Sequence, residues 1–511
     1  MVVKEQATNQ PGGTPIWRTA LTSQMMMLFG GRGVAFLFTF AIPLVLVRLF
    51  SQTEFGVYKQ IFLIYGTLLS IISLGIPASL YYFLPREAKD RGLYISQTLV
   101  FLSGVGAIGV GIMIVFGENV ALLLNSPALK EYAPYIGVMT AVMLLGVILE
   151  TIMIATKQIT LATITLVVTE LLKACVIIGA AAITGSLYIL LGGMIGLGLL
   201  RLAALAFYLR KEGLLVVGPL RGQYLQSQLT FALPFGLAAI LEMLASAVPQ
   251  FFVSHFYDPA TFAIFSVGCF TLPLVPLLFD SVADTALVKI TELEKARDMK
   301  ELVQVVSDSI RKLSLVCFPL LVFLLTVASE FIVGLFTSKF EASVPIFMVF
   351  IFTLPLWALS VDYVPRAFAE TGFLLKMYGL RLVLTVIFFL LFIKAWGLSG
   401  AALAVVLGLA ITRGYTILKV ARLAGTTMDN IVPWQSIGKI LVYSMIAAFL
   451  VFVMKHFIQL PALFVLVGAS IVFAGAYLSL IWNSGLVHDE EKDILAAYLH
   501  RMRGAVLGYE I

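Results

Sequence analysis

About fourteen hydrophobic stretches, each long enough to cross a bilayer, follow one another along this chain with short polar loops between them. They fall near 25–47, 58–83, 94–116, 133–155, 159–183, 187–209, 229–253, 260–283, 313–335, 345–368, 374–394, 398–420, 436–457 and 461–482. Hydrocarbon offers no water to bond to backbone N–H and C=O groups, so each crossing has to satisfy its own, and an α-helix does that within one segment. The expected fold class is an all-α polytopic membrane protein of about fourteen transmembrane helices. Composition agrees: hydrophobic residues make up 60% of the chain, charged residues 12%, and the mean hydropathy is +1.02.

The polar remainder is too short for a large soluble domain. It consists of a tail to about Gln24, the Asp284–Lys312 segment and a tail after Trp482. The first span, Met25–Val47, exceeds the apolar core of a signal peptide and has no small-residue cleavage site after it, so it reads as an anchor. Cys175, Cys269 and Cys317 sit inside apolar stretches without a CxxC pair, and His255, His456, His488 and His500 are scattered. No P-loop, dinucleotide fingerprint, nucleophilic triad or metal cluster stands out, so no cofactor is expected, and ATP hydrolysis and redox chemistry have no visible home.

Charge sets the orientation. An even number of spans puts both termini on one side. If that side is the cytoplasm, the opposite loops hold six cations: Arg48, Lys59, Lys130, Lys339, Lys394 and Lys455. Five more, Arg32, Lys173, Arg201, Arg381 and Arg413, lie within spans, and of the 34 Lys and Arg this leaves 23 facing the cytoplasm. That asymmetry accounts for the net charge of +6 through attraction to anionic inner-leaflet lipids, and gives no reason to expect nucleic acid as a partner. The same reading makes Asp284–Lys312 a cytoplasmic amphipathic helix.

The chain also repeats. Phe55-Gly-Val-Tyr58 aligns with Phe262-Ala-Ile-Phe265 at an offset of 207. Gly185, Gly196, Arg201 and Arg210 align with Gly397, Gly408, Arg413 and Arg422 at an offset of 212. Six spans per half is even, which implies parallel repeats and two six-helix lobes. The expected parts are a cytoplasmic tail (1–24), an N-lobe (25–210), a C-lobe (229–422), two extra spans (436–482) and a cytoplasmic tail (483–511). Prolines such as Pro43, Pro234, Pro249, Pro273, Pro276 and Pro355 can loosen span ends, although proline is common in membrane helices in any case.

Several segments resemble one family in order and spacing. Arg48-Leu-Phe-Ser-Gln-Thr-Glu-Phe-Gly-Val-Tyr58 resembles the junction of spans 1 and 2 in oligosaccharide-lipid flippases of the multidrug/oligosaccharidyl-lipid/polysaccharide exporter superfamily. Leu74-Gly-Ile-Pro-Ala-Ser-Leu80 with Pro85-Arg-Glu87 is similar to the end of its span 2, and Lys289–Leu313 to its charged loop after span 8. Ala369-Glu-Thr-Gly-Phe-Leu-Leu-Lys376 and Trp396-Gly-Leu-Ser-Gly-Ala-Ala402 resemble the loops around span 11. The resemblance implies transfer of a polyprenyl-diphosphate-linked oligosaccharide from the cytoplasmic to the outer leaflet of the inner membrane, for a surface polysaccharide. It brings membrane lipids, and a polymerase and glycosyltransferases, as partners. The peptidoglycan-precursor branch carries an arginine cluster in its first two spans. Arg32 and Arg48 stand there without aligning to it, which favours a polysaccharide repeat unit over lipid II.

On that reading the cations within the spans are candidates for the diphosphate. A charge at mid-membrane costs about 3 kcal/mol on insertion scales unless it meets a cavity or a partner. Arg32, Arg201, Arg381, Arg413 and Arg366 fall in the cytoplasmic half and Lys173 near the middle. A guanidinium matches phosphate oxygens with two parallel bonds. Each has a blander alternative. Arg201, Arg381 and Arg413 can snorkel to the interface. Glu170 and Lys173, three residues apart, can neutralise each other. Asp362, Arg366 and Glu370, at i, i+4 and i+8, read as a same-face charge ladder near the cytoplasmic end of span 10. Glu242 lies mid-span with no cation within four residues, so it is protonated, paired to another helix or bound to an ion, and it is a candidate for ion coupling together with Glu170. His255 and Asp258 read as a loop cap. Two other functions stay open: a cation-coupled multidrug exporter, which calls for an acidic cavity, and a membrane polymerase or ligase, which calls for a large outer loop. The longest outer loop, about Gly117–Tyr132, is short and mostly apolar.

Overall fold

A computed structural model describes residues 16–87, 89–214, 222–272, 274–457, 460–482 and 484–487, with 489 and 492; side chains are described from residue 30, except Arg32, Phe235 and Leu274. The first helices are α1 (Ile16–Leu49), α2 (Gln52–Ser73), α3 (Ile76–Arg86), α4 (Arg91–Leu123), α5 (Leu129–Gly146) and α6 (Ile148–Ala155). There follow α7 (Ile159–Thr184), α8 (Leu187–Lys211), α9 (Gly222–Phe256), α10 (Pro259–Gly268) and α11 (Leu274–Ala296). Next come α12 (Met299–Thr326), α13 (Ala328–Phe336), a 3₁₀ turn (Ser338–Ser343), α14 (Val344–Phe350), α15 (Thr353–Ala358) and α16 (Tyr363–Ala367). The last are α17 (Thr371–Leu423), α18 (Met428–Ile431), α19 (Trp434–Phe457) and α20 (Ala462–Trp482). The described residues form no strand.

Among the described residues, eleven helices are long and apolar enough to cross a membrane. One of them, α17, contains two expected crossings. At Gly397 the backbone takes φ 56 and ψ −136, a conformation that only glycine adopts without strain, and the chain folds back on itself. Gly400 then lies so close to the Phe392 carbonyl that a Cβ would sit 2.2 Å from its oxygen. The expected first and eighth spans coincide with shorter apolar helices, Gly33–Leu49 and Pro259–Gly268. The protein is a multi-pass, all-α membrane protein. Its exterior is correspondingly apolar: Val115, Phe116, Phe449, Phe452 and Ile471 are among its most exposed side chains.

Two compact units divide the chain. The first holds Met1–Leu49, Ile64–Val120 and Ala128–Leu237. Within it α1 packs along α7, α5 against α8, and α3 against α6. Its core joins Ile76, Leu80, Leu84, Ile95, Ile148 and Ile152, all fully buried. Gln228 donates from its amide to Ser79 Oγ (3.1 Å) and Thr98 Oγ1 (2.9 Å), tying α9 to α3 and α4 by polar bonds worth more where water is absent.

The second unit holds Phe50–Leu63, Ala121–Pro127 and Ala238–Ile511. Here α12 packs on α11, α15 and α19, α19 on α20, and α14 on α17. Gln60 donates to the Leu124 carbonyl (3.0 Å) and Ser254 Oγ (2.8 Å), which anchors the end of α4 between α2 and α9. Asp258 caps α10 through the Thr261 N–H, the loop-cap role read for it in the sequence, while His255 Nδ1 meets the Leu123 carbonyl at 2.6 Å. Asp284–Lys312 is not one amphipathic helix. Arg297 takes φ 59 and Asp298 caps α12 through the Glu301 N–H, so the segment is the turn of an α11–α12 hairpin, closed by Lys289 and Glu301 at 3.0 Å. Hydrogen bonding and attraction from Glu301 hold the Lys289 ammonium above the usual lysine range.

The backbone itself repeats. Positive φ recurs 212 residues apart at Asn125 and Thr337 (47 and 73), Lys157 and Ala369 (66 and 54), Gly185 and Gly397 (63 and 56), and Gly213 and Gly425 (66 and 64). The helix breaks match as well: α5 yields to α6 at Val147 and α15 ends before Leu359, positions that again differ by 359 − 147 = 212. Non-glycine residues rarely adopt such backbone, so the two non-glycine pairs, joined by two glycine pairs at the same offset, mark a structural repeat.

Gly56 shows how closely helices meet in the second unit. A Cβ there would lie 1.8 Å from the Pro259 carbonyl oxygen, a backbone atom that cannot swing away. Gly56→Ala is expected to destabilise the protein by about 1–3 kcal/mol, seen as a lower midpoint of thermal aggregation in detergent; an unchanged midpoint would show that the α2–α10 contact is loose.

Candidate anion site in the second unit

Charges within the spans fall into two groups, partnered and unpartnered. Arg201 on α8 meets Glu150 on α6 at 2.6 Å, with side chains 14% and 13% exposed. Gly146 makes the room: its missing Cβ would stand 3.3 Å from Arg201 Cβ. Arg413 on α17 is ion-paired with Asp362, in the break before α16, and both are buried. The two pairs are equivalent, since 413 − 201 and 362 − 150 are both 212. Each arginine thus meets a carboxylate inside its own unit, which offsets part of the cost of burying its charge.

Lys173 is ion-paired with Glu170, which also accepts from Thr39 Oγ1 on α1 at 2.8 Å. Mutual neutralisation is therefore the arrangement on that helix face. The ladder read through Asp362, Arg366 and Glu370 does not form. Ala369 at φ 54 ends the helix, and each group turns elsewhere: Asp362 to Arg413, Glu370 to Lys419 at 2.8 Å, and Arg366 to the Tyr378 hydroxyl at 3.5 Å. Arg32 lies on α1, but its side chain is outside the described residues.

Arg381 differs from all of these. It lies on the first arm of α17, is only 9% exposed, and has no carboxylate within 4.0 Å among the described residues. Its Nη2 donates to Ser246 Oγ at 3.1 Å, and its Nε, like that of Arg413, is buried without a hydrogen-bond partner. An unpaired buried guanidinium is costly, and it persists where a polar cavity or a ligand compensates it. Such a cavity is present. It has a volume of about 200 Å³ and is walled by Glu242, Ser246, Gln250, Cys269, Thr271, Trp357, Arg381 and Arg413. At roughly 30 Å³ of liquid per water it has room for about six waters or a small anionic group.

Local structure explains the polar walls. Glu242, Ser246 and Gln250 follow at i, i+4 and i+8, so they line one stripe of α9. The break between α10 and α11 supplies Cys269 and Thr271, and the broken run α14–α15 supplies Thr353 and Trp357. Irregular backbone at membrane depth is tolerated where it borders a polar cavity. Gly408 brings the two arms of α17 together, with Thr385 Oγ1 2.7 Å from where its Cβ would be, and so places Arg381 and Arg413 on the same cavity. Glu242 makes no ion pair within 4.0 Å among the described residues, yet it interacts electrostatically with Arg366, Arg381, Arg413 and Tyr378. Glu150 and the wall residues Ser246 and Trp357 escaped the sequence reading. The offset of 212 could have revealed Glu150 as the counterpart of Asp362; nothing in the sequence marks the other two.

A family model described as polysaccharide biosynthesis protein matches residues 45–345, more than half of the chain. The protein belongs to this polysaccharide biosynthesis family. No curated protein sequence matches it. Among solved structures, the family member's fold is similar to that of the lipid II flippase MurJ in an inward closed conformation, with TM-score 0.68, 16% identity, and coverage of 87% of this chain and 97% of that one. It is also similar to an inward-facing multidrug resistance MATE transporter of the MOP superfamily (TM-score 0.60, 15% identity, 77% and 96% covered) and to a Vibrio cholerae MATE transporter (TM-score 0.56, 16% identity, 80% and 98% covered). The chain thus shares its fold with these transporters.

The Glu150–Arg201 pair yields a test of structural roles. Removing one partner leaves a buried charge alone, so Glu150→Ala or Arg201→Ala should each cost about 3–5 kcal/mol of stability, while Glu150→Gln with Arg201→Met should recover most of it. Thermal unfolding in detergent reads the cycle; additive losses in the double variant would show that the two residues do not act as a pair.

Proposed function

We propose that this protein flips a polyprenyl-diphosphate-linked oligosaccharide from the cytoplasmic to the outer leaflet by alternating access, in the assembly of a surface polysaccharide. The observation that carries the reading is Arg381, a buried guanidinium with an unsatisfied Nε in a polar cavity that also receives Arg413. The diphosphate of such a lipid needs donors in a dry site, and guanidinium forks supply them. The family's role in polysaccharide biosynthesis and a fold shared with a lipid II flippase support the same substrate class.

The cavity wall argues against export of organic cations. Its one lining carboxylate, Glu242, stands beside Arg381 and the Asp362-paired Arg413, so it is not the acidic cavity that such a substrate calls for. A polymerase or ligase would need an arrangement of nucleophile and base, and the cavity wall offers Cys269 and Thr271 without a histidine beside them.

In cells lacking the native gene, Arg381→Ala is expected to abolish glycan export with normal protein abundance. Arg381→Lys should restore little, because a single ammonium replaces neither the fork nor its spacing. Glycan immunoblots beside membrane abundance check this, and full export by Arg381→Ala would remove Arg381 from the transport path. Orientation follows from the charge asymmetry, with both termini and the α11–α12 turn in the cytoplasm of a cell whose inner membrane holds the protein. Arg297 is exposed at that turn, so Arg297→Cys should resist an impermeant thiol reagent in intact cells and react after permeabilisation. Labelling in intact cells would reverse the assignment.

A further inference from the structure

We propose that the start of α19 carries a site for one anionic glycerophospholipid, its phosphate held at Lys439 and its chains lying along the exposed face of the same helix. None of the residues that line this site borders the Arg381 cavity, so the site is independent of what that cavity transports.

The sequence of α19 contains two lysines, Lys439 and Lys455, and no acidic residue. Lys455, near the far end, is answered within the protein: its ammonium stands 2.7 Å from Glu330 on α13 and donates to the Thr326 carbonyl on α12 at 2.9 Å. Lys439 is exposed and has no carboxylate within 4.0 Å among the described residues. The 24 residues of α19 make a helix about 36 Å long. That exceeds a hydrocarbon thickness of about 30 Å by little, so the Lys439 backbone, about 7 Å in from Trp434, lies below the head groups. A cation at that depth calls for an anion or a reach to the interface.

A groove lies beside it. It has a volume of about 410 Å³ and is lined, among the described residues, by Gln435, Gly438, Lys439, Val442 and Tyr443. Helical register explains its chemistry. Gln435, Lys439 and Tyr443 follow at i, i+4 and i+8 and form one row of donors, while Gly438 and Val442 form the adjoining row. No described atom comes within 4 Å of where a Gly438 Cβ would stand, so the missing side chain leaves a dent that packing does not fill. Side chains on a helix lean toward its N-terminus, which carries the Lys439 ammonium, the Gln435 amide and the Tyr443 hydroxyl toward the head groups. Further along the same face, Val442, Ile446, Phe449, Leu450 and Val453 are all exposed. The opposite face, with Ile440, Ser444, Ala447 and Val451, is buried, and α19 packs there on α12 and α20.

Donors at one end and an unbroken apolar run beyond them match the profile of a phospholipid. A phosphodiester is anionic and accepts hydrogen bonds only, so one ammonium, one amide and one phenol can all donate to it. A snorkelling lysine satisfied by water alone would require neither the dent nor the donors that flank it. Head-group charge follows from what the groove lacks. No carboxylate lines it among the described residues, so a choline or ethanolamine would bring a second cation beside Lys439 with nothing to receive it. The orientation proposed above puts this end of α19 in the cytoplasmic leaflet, where anionic lipids are concentrated.

The test uses the full-length protein, delipidated in maltoside detergent and titrated with phosphatidylglycerol or with phosphatidylcholine of the same chains, while native mass spectrometry counts the lipids retained. The wild type should hold one phosphatidylglycerol, with at least roughly tenfold preference over phosphatidylcholine. Lys439→Gln and Gly438→Leu should each weaken that binding roughly tenfold, the first by removing the charge and the second by filling the dent with the charge unchanged. Both positions are exposed, so both variants should keep the wild-type thermal midpoint. Equal retention of the two lipids by the wild type, or unchanged retention in both variants, overturns the site. Loss in only one variant overturns it as well: Lys439→Gln alone would leave a diffuse attraction to charge, and Gly438→Leu alone an apolar crevice. Displacement of bound phosphatidylglycerol by equimolar decaprenyl phosphate would give the groove to a polyprenyl lipid and end the phospholipid assignment. Should Gly438→Leu lower the thermal midpoint, the stoichiometry and head-group preference of the wild type still decide.

Discussion

A charge that enters hydrocarbon must be answered from within the protein, and the internal architecture of this chain is arranged around that requirement. Each half meets it in the same way. The last span of the half carries an arginine, Arg201 or Arg413, and a broken span carries the carboxylate that receives it, Glu150 or Asp362. The break is part of the solution. Ending α5 at Gly146 and α15 at Ala358 frees the chain to turn an acidic side chain inward, and the small Gly146 lets Arg201 pass close to the backbone. Replacing such a pair with apolar groups is often tolerated by soluble proteins, so its recurrence at the same internal offset speaks for a positional role, holding the broken span to the span that ends the half.

Arg381 stands outside this pattern. Nothing at the corresponding offset answers it, since position 169 is Thr169. The asymmetry sets one half apart chemically: a polar cavity, a guanidinium with an open Nε and a lone carboxylate occur together in the second unit. Duplicated folds commonly keep the scaffold symmetric and place ligand chemistry where unwound segments interrupt the helices. The gap between α10 and α11 and the run α14–α15 are such segments, and they supply walls that an unbroken helix would have closed with apolar side chains.

Membership in a polysaccharide biosynthesis family, and a fold shared with a lipid II flippase and MATE transporters, sit beside a polar cavity inside the second unit. Among the described residues that line the cavity, Arg381 and Arg413 are directed donors.

Much of this was legible in the sequence because bilayer physics leaves few choices. Span length and composition dictate helices, Gly185 and Gly397 mark turns, and the repeated Gly and Arg positions announce the duplication. The charged residues within spans could be named, and so could the isolation of Glu242 and the likeness to lipid-oligosaccharide flippases. The partners could not. Periodicity speaks for one helix at a time, and the ladder through Asp362, Arg366 and Glu370 presumed a helix that Ala369 interrupts. The pairing of Arg413 with Asp362 rather than with phosphate, the hairpin in place of a single helix across Arg297, and the placement of Arg381 against Ser246 depend on which helices pack together. Sequence alone decided how many charges had to be buried; only tertiary packing decided which of them was left without a counter-ion, because a counter-ion is a neighbour in space and not in the chain.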